Sequence, residues 1–236
     1  WIAVVGLVLL AAVTAAALIA AKGAPGSDNP FVGKPLYVYA DSSAGKAARL
    51  ANGTENSAPF AQLARTPTAI GLLPEAHPTA EITEFVSGIT GAAAAKGELP
   101  VFVVYGIPSR DCGNFSAGGA SSQEYPLWVS AIAAGISSHD AVIILEPDAL
   151  ALSPSCGTED ATAAFLRDAI TRLSVNAGTT IYLDGGHSNW LPPAEMAQLL
   201  TDAGVSEVRG FATNVSNYNT TGDERDYGQS LSELLG

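Results

Sequence analysis

Runs of Val, Ile, Leu and Tyr of strand length recur along this chain, and stretches with helical periodicity separate them. That alternation constrains the fold more than any other feature. A helix between two strands returns the chain to the edge it left, so successive strands lie parallel in one sheet. The strand candidates are Pro35–Ala40, Ala69–Leu73, Pro100–Tyr105, Ala141–Leu145, Thr180–Leu183 and Glu207–Thr213. Their almost unbroken apolar content suits strands buried on both faces.

Helices fall between them. From Glu81 to Ala95, the residues Ile82, Phe85, Val86 and Ile89 keep i, i+3, i+4, i+7 spacing and make one apolar stripe. Ser122 to Ser137 carries Trp128, Ile132 and Ile136. Thr158 is placed to cap a helix striped by Phe165, Leu166, Ile170 and Leu173, with Gly178 ending it. Pro192-Pro193 opens another helix, stopped by Gly204.

Such a series fits a barrel or an open doubly wound sheet. Polar clusters decide between them. Asp41–Ser43, Gly106–Cys112, Glu146–Asp148, Asp184–His187 and Asn214–Asn219 each follow a strand. Barrel enzymes draw their sites from several strand ends at one face. A dinucleotide-binding sheet concentrates its signal in a glycine-rich first turn, and Asp41-Ser-Ser-Ala-Gly-Lys46 is not one. The expected fold is an α/β, parallel β/α barrel.

Composition excludes some partners. The formal net charge is −12 and no basic cluster occurs, so nucleic acid and anionic membrane surfaces are not expected to bind. A neutral sugar polymer meets no such repulsion. Ile2 to Ala21 is apolar and uncharged, long enough to span a bilayer. Residues 1–24 are read as a signal peptide or membrane anchor, with a buried core helix as the plain alternative. Either of the first two readings places residues 25–236, one α/β domain, outside the cytoplasm, secreted or membrane-anchored. Any membrane contact would then run through the N-terminal segment alone, and a monomer is expected. In an oxidising compartment Cys112 and Cys156 read as one disulfide, worth about 3–4 kcal/mol by loop closure. His77, His139 and His187 show no metal-ligand spacing, so no metal or cofactor is expected.

Asp111, Asp148 and Asp184 end apolar strands, and Asp41 is a possible fourth. A half-solvated carboxylate among others holds its proton to higher pH, which suits a general acid. Glycoside hydrolysis needs that acid and a second carboxylate to activate water or attack directly. A lone Asp after a strand is otherwise a helix cap.

These residues also resemble a known family. Tyr105-Gly-Ile-Pro-Ser-Arg-Asp-Cys112 is similar to the Tyr-x-x-Pro-x-Arg-Asp-Cys signature of glycoside hydrolase family 6. Ile143–Leu150, Tyr182–Trp190 and Asn214–Asn219 resemble three further family motifs, in the same order. The resemblance implies a distorted, incompletely closed barrel that hydrolyses β-1,4-glucan such as cellulose with inversion. It implies Asp148 as general acid. Asp111 becomes the neighbouring carboxylate that raises the acid's pKa and steadies the oxocarbenium-like transition state. Tyr105 would press on the sugar at the cleavage point. Asp184, His187, Trp190, Asn214 and Asn217 would line glucosyl subsites, and Cys112–Cys156 matches a family disulfide. Trp190 is otherwise a core cap, His187 a structural histidine, and Gly113–Ser122 either a mobile lid or a plain connector. The family's base comes from a segment beyond Gly236, so the chain is expected to cover only part of the catalytic domain. None of Asp223, Glu224, Asp226 and Glu233 stands in a matching context. A glycan-binding remnant without turnover is the alternative. A serine hydrolase is not supported, because Ser116 sits one residue off a GxSxG elbow.

Overall fold

A computed structural model describes residues 29–236. The apolar run Ile2–Ala21 lies outside them. Among the described residues, no helix is long and apolar enough to cross a membrane.

Strands β1 (Ile70–Leu72), β2 (Val101–Val104), β3 (Ala141–Leu145), β4 (Thr179–Asp184) and β5 (Gly210–Ala212) form one parallel sheet. Their spatial order is their order in the chain. A doubly wound sheet reverses direction once, whereas a barrel wall never does. This is therefore a barrel wall, and it is open, since β1 and β5 do not pair. Helices α1 (Ser43–Leu50) and α2 (Ser57–Ala64) precede it. The crossovers are α3 (Thr79–Lys96), α4 (Tyr125–Ile136), α5 (Ala149–Cys156) with α6 (Glu159–Leu173), and α7 (Pro193–Asp202); α8 (Thr221–Leu235) follows β5. Neighbours α3 and α4, α4 and α6, α6 and α7, and α7 and α8 pack on one another as one outer layer.

Register explains what that layer buries. Residues in line across parallel strands share a face. Phe102, Ile143 and Ile181 make one buried row, and Leu72, Val104, Leu145 and Leu183 another. Both rows join Ile82, Val86, Trp128, Ile132, Leu166 and Ile170 in the core. Between them runs Gly71, Val103, Ile144, Tyr182 and Gly210, pointing the other way, and none of the five is buried. The expected burial on both faces thus holds in part: Val142 is buried on this second face, but the row beside it is not. The inner face of an unclosed wall stays half-open.

Several boundaries differ from expectation. Pro35–Ala40 forms no ladder, only a bridge from Leu36 to Leu99. Pro35 has no N–H to give a ladder, and Ser42 already caps α1 by accepting from the Gly45 N–H. The last strand is shorter than Glu207–Thr213, because Val205–Glu207 coils into a 3-10 turn. Helix α4 starts after Ser122, behind a reciprocal box in which the Ser121 hydroxyl and Glu124 carboxylate bond each other's ends. Thr158 holds the N-cap position of α6 without a capping bond, and α6 stops at Leu173, ahead of Gly178. Helices α1, α2, α5 and α8 lie outside the expected helical stretches.

Candidate active site

Because all five strands run parallel, their C-terminal ends open on one edge. Glu75, Tyr105 to Asp111, Glu146 to Asp148, Asp184, and Asn214 to Asn219 all leave that edge. Asp41 does not join them. It lies before α1 and pairs with Arg49 at 2.8 Å on the exposed surface, which corrects the idea of a fourth site aspartate.

Asp148 stands at the head of α5 in a left-handed conformation, φ 70, and its side chain makes no capping bond. The helix-cap reading of this aspartate therefore fails. Its Oδ1 instead accepts from the Ser216 hydroxyl on the loop after β5, and the Asn217 amide donates in turn to Ser216. Below it, the Asp148 N–H donates to Asp184 Oδ2 at 3.0 Å. The same Asp184 oxygen accepts from the Gly186 N–H at 3.0 Å. Asp184 is only 2% exposed, so it works as a clamp beneath the turn. Burial pushes its carboxyl up to about 7, with hydrogen bonds from Asp148 and Gly186 opposing and the Asp148 charge adding.

Tyr105 and Asp111 arrive from β2. Arg110, itself buried, stacks over the Tyr105 ring at 4.5 Å and donates to the Tyr105 carbonyl at 2.7 Å. It also reaches back to Glu75 after β1 at 3.0 Å, and Glu75 accepts from the Gly119 N–H at 2.7 Å. Burial raises the Glu75 carboxyl, but the bonds from Gly119 and Arg110 outweigh it and the net shift is downward. Asp111, at φ 58, accepts the Ser116 N–H at 2.7 Å. An antiparallel bridge from Arg110 to Gly118 closes the loop. Gly113–Ser122 is thus tied down over much of its length. At its tip Phe115 is fully exposed.

The Tyr105 phenol is shifted upward by its burial and by several neighbours. Burial raises its pKa; the Ser116 side chain and Arg110 oppose this, while the charges of Asp148 and Asp111 both add to it. Cys112 and Cys156 form a disulfide with Cα atoms 6.2 Å apart, tying the Asp111 loop to the end of α5. A cavity of about 240 Å³ beside it includes Asp111 in its lining but neither Tyr105 nor Asp148.

His187 accepts from the Asn189 N–H through Nδ1 at 3.3 Å, and its ring lies 5.0 Å from that of Trp190. Trp190 is partly buried against the core, with part of its ring left accessible. Asn214, at φ 63, knots the last loop by bonding Asn219 through both side-chain groups. Asn217, at φ 54, turns its amide to Ser216.

Besides Glu75, two further carboxylates of this edge were not anticipated. Glu146 is 1% exposed and accepts from the Gly106 and Ile107 N–H groups and the Tyr125 hydroxyl. Glu224 on α8 is also buried and accepts the Ser188 N–H at 2.8 Å. Burial raises Glu224, and bonds from Ser188 and Thr213 with the charge of His187 bring the net shift downward. A charged residue straight after an apolar strand was the available signal for Glu146; Glu224 had none. Among the described residues, no three His, Cys, Asp or Glu side chains gather as metal ligands.

Fold and site together define a β/α-barrel protein with an acidic, open site at the carboxyl ends of its strands. The chain belongs to the glycosyl hydrolases family 6, which it matches over residues 31–236. It is 39% identical over 204 residues to Endoglucanase A of Cellulomonas fimi, covering 85% of this chain and 44% of that protein. Endoglucanase 1 of Streptomyces halstedii is 36% identical over 229 residues, covering 93% and 69%. The endoglucanase Cel6 from Mycobacterium tuberculosis, solved with methyl-cellobiosyl-4-deoxy-4-thio-β-D-cellobioside, superposes with a TM-score of 0.83 at 42% identity. That match covers 88% of this chain and 71% of the other. The chain spans about half the length of the curated relatives it matches.

Proposed function

We propose that this chain carries the acid half of a β-1,4-glucan hydrolase site, with Asp148 protonating the departing glycosidic oxygen in an inverting reaction. The single supporting observation is the placement of its carboxyl. It is free of capping duty and accepts instead from the Ser216 hydroxyl, at the strand edge that Asp111 and Tyr105 also leave. As the C1–O bond breaks, the Asp148 proton moves to the leaving oxygen, and water attacks the opposite face of the sugar. The Ser216 hydroxyl then donates to the carboxylate that remains. Asp111 adds negative charge where the ring becomes cationic. A second carboxylate, acting as base, takes the water's proton.

Glucan binding has supports of its own. Phe115 and Tyr218 expose their rings on loops leaving the same edge, and Trp190 keeps part of its face accessible. Pyranose C–H faces stack on such rings. His187, Asn214 and Asn217 bring groups that both donate and accept, as sugar hydroxyls require. The disulfide supports an extracellular place of action.

Reducing-sugar release from soluble glucan, read beside cello-oligosaccharide binding, tests the proposal. In the full-length protein, Asp148→Asn should cut release by about 100-fold or more while binding survives. A rate within about tenfold of wild type ends the assignment of the acid. Binding without release by the wild type favours a glycan-binding role instead.

A further inference from the structure

Glu146 ends an apolar strand, yet its carboxylate is buried among donors from two other elements. Oε2 accepts from the N–H of Gly106 at 2.9 Å and of Ile107 at 3.0 Å. Oε1 accepts from the Gly106 N–H at 3.0 Å and the Tyr125 hydroxyl at 2.9 Å. The two amides belong to the chain leaving β2, and the phenol belongs to α4. The two amides can only donate, and the phenol is turned to donate as well. An acceptor-only group fits such a pocket, and of the polar side chains only an ionised carboxylate is one.

The backbone on either side is strained. Glu146 has φ 51 directly before Pro147, where sterics favour an extended residue, and Asp148 has φ 70. Conformations of this kind persist only where their surroundings over-determine them. Tyr105 precedes Gly106 in the chain, and Asp148 follows Glu146 by two residues. Gly106 cannot drift, since even a Cβ there would stand 2.6 Å from the Trp128 ring. One buried carboxylate thus ties the backbone next to Tyr105, at the end of β2, to the turn that carries Asp148, at the end of β3.

From this convergence we propose that Glu146 is a positioning residue, which as an ionised carboxylate holds Tyr105 and Asp148 at a fixed separation. It rests on the reading of those two side chains as the cleavage site. Burial pushes the Glu146 carboxyl up to about 7, against bonds from Ile107, Gly106 and Tyr125 and the charge of Arg110. The groups that bear on it are Tyr125 from α4 and Arg110 from the loop after β2, with Asp168 of α6 acting on Tyr125. Protonation near neutral pH puts a donor on one oxygen, opposite groups that themselves donate, and loosens the grip.

The test compares wild type, Glu146→Gln and Glu146→Ala in the full chain by NMR, and the full-length protein by kinetics. Gln presents an NH2 to a ring of donors, so it keeps the shape and loses part of the clamp. In wild type the Gly106 and Ile107 amide resonances should titrate with a midpoint of about 7, and in Glu146→Gln they should not. The Asp148 carboxyl and Tyr105 ring resonances should move in Glu146→Gln, with those of Asp140 as an unmoved control. Turnover on soluble glucan should fall about 10–100-fold with KM within about threefold, a misplacement signature. Glu146→Ala should lose at least as much turnover, with Gln recovering part of it. Unchanged Asp148 and Tyr105 resonances in Glu146→Gln overturn the inference. So does a uniform loss of folding in both variants without a kcat-against-KM split. The resonances are read without substrate, so a wild type that releases no sugar sinks the glucanase reading alone.

Discussion

Replacing Asp184 with Asn removes a buried charge while keeping an oxygen of the same shape for the Asp148 and Gly186 N–H groups. Burial carries the wild-type carboxyl from 3.8 to about 7. At 1.36 kcal/mol per unit, that displacement is worth about 4 kcal/mol at full weight. The sign follows from its direction. A raised folded pKa means that the folded chain binds the proton more tightly than the unfolded one. The stabilisation is complete below about pH 4 and is lost as pH rises through about 7. Asn cannot ionise and escapes that loss. Glu146 titrates in the same window, so the quantity to measure is variant minus wild type. Urea unfolding followed by tryptophan fluorescence should give a difference near zero at about pH 4. By about pH 8 the variant should be the more stable by about 2–4 kcal/mol. A difference that stays within about 0.5 kcal/mol across that range would refute the assignment of Asp184 as a buried, proton-holding clamp.

Two further substitutions probe the loops. Phe115→Ala removes an exposed ring from a loop held by Arg110 and Asp111, and calorimetry should show cello-oligosaccharide affinity weakened about 3–10-fold at unchanged Tm. Equal affinity would remove Phe115 from the sugar surface. Gly106→Ala forces a Cβ to within 2.6 Å of Trp128 and 3.0 Å of Pro74, and should cost about 1–3 kcal/mol in chemical unfolding. A neutral effect would mean that the β2 exit can move freely.

Local pattern reached the centre of the sheet and faltered at its ends. Ala141–Leu145 is legible because five apolar residues in a row stop abruptly at a charged one. Helix α3 is legible because Ile82, Val86 and Ile89 keep one stripe, and all three are buried. Helix α5 is not, since it follows the Glu-Pro-Asp turn at once and contains Pro154. Helix α8 hides its buried Tyr227 and Leu231 in a mainly polar stretch. The site divides in the same way. Asp148, Asp111 and Tyr105 are marked by short motifs beside strand ends, and all three leave the same edge of the sheet. Glu75 with Arg110, Glu146 with Gly106, and Glu224 with Ser188 join residues 35 to 40 positions apart. Nothing local in the sequence records such partners. The role of Asp184 shifted for a related reason. Sequence places it at a strand end, but only three-dimensional packing shows that its carboxylate turns under the Asp148 amide.

A proton donor matters only when the departing group needs a proton. Hydrolysis by Asp148→Asn should therefore be compared on cello-oligosaccharides and on an aryl cellobioside whose phenol is strongly acidic. If Asp148 supplies the proton, cleavage of the sugar–sugar bond collapses by about 100-fold or more, while the aryl substrate loses less than about tenfold. Equal losses on both substrates, or none on either, would contradict the account.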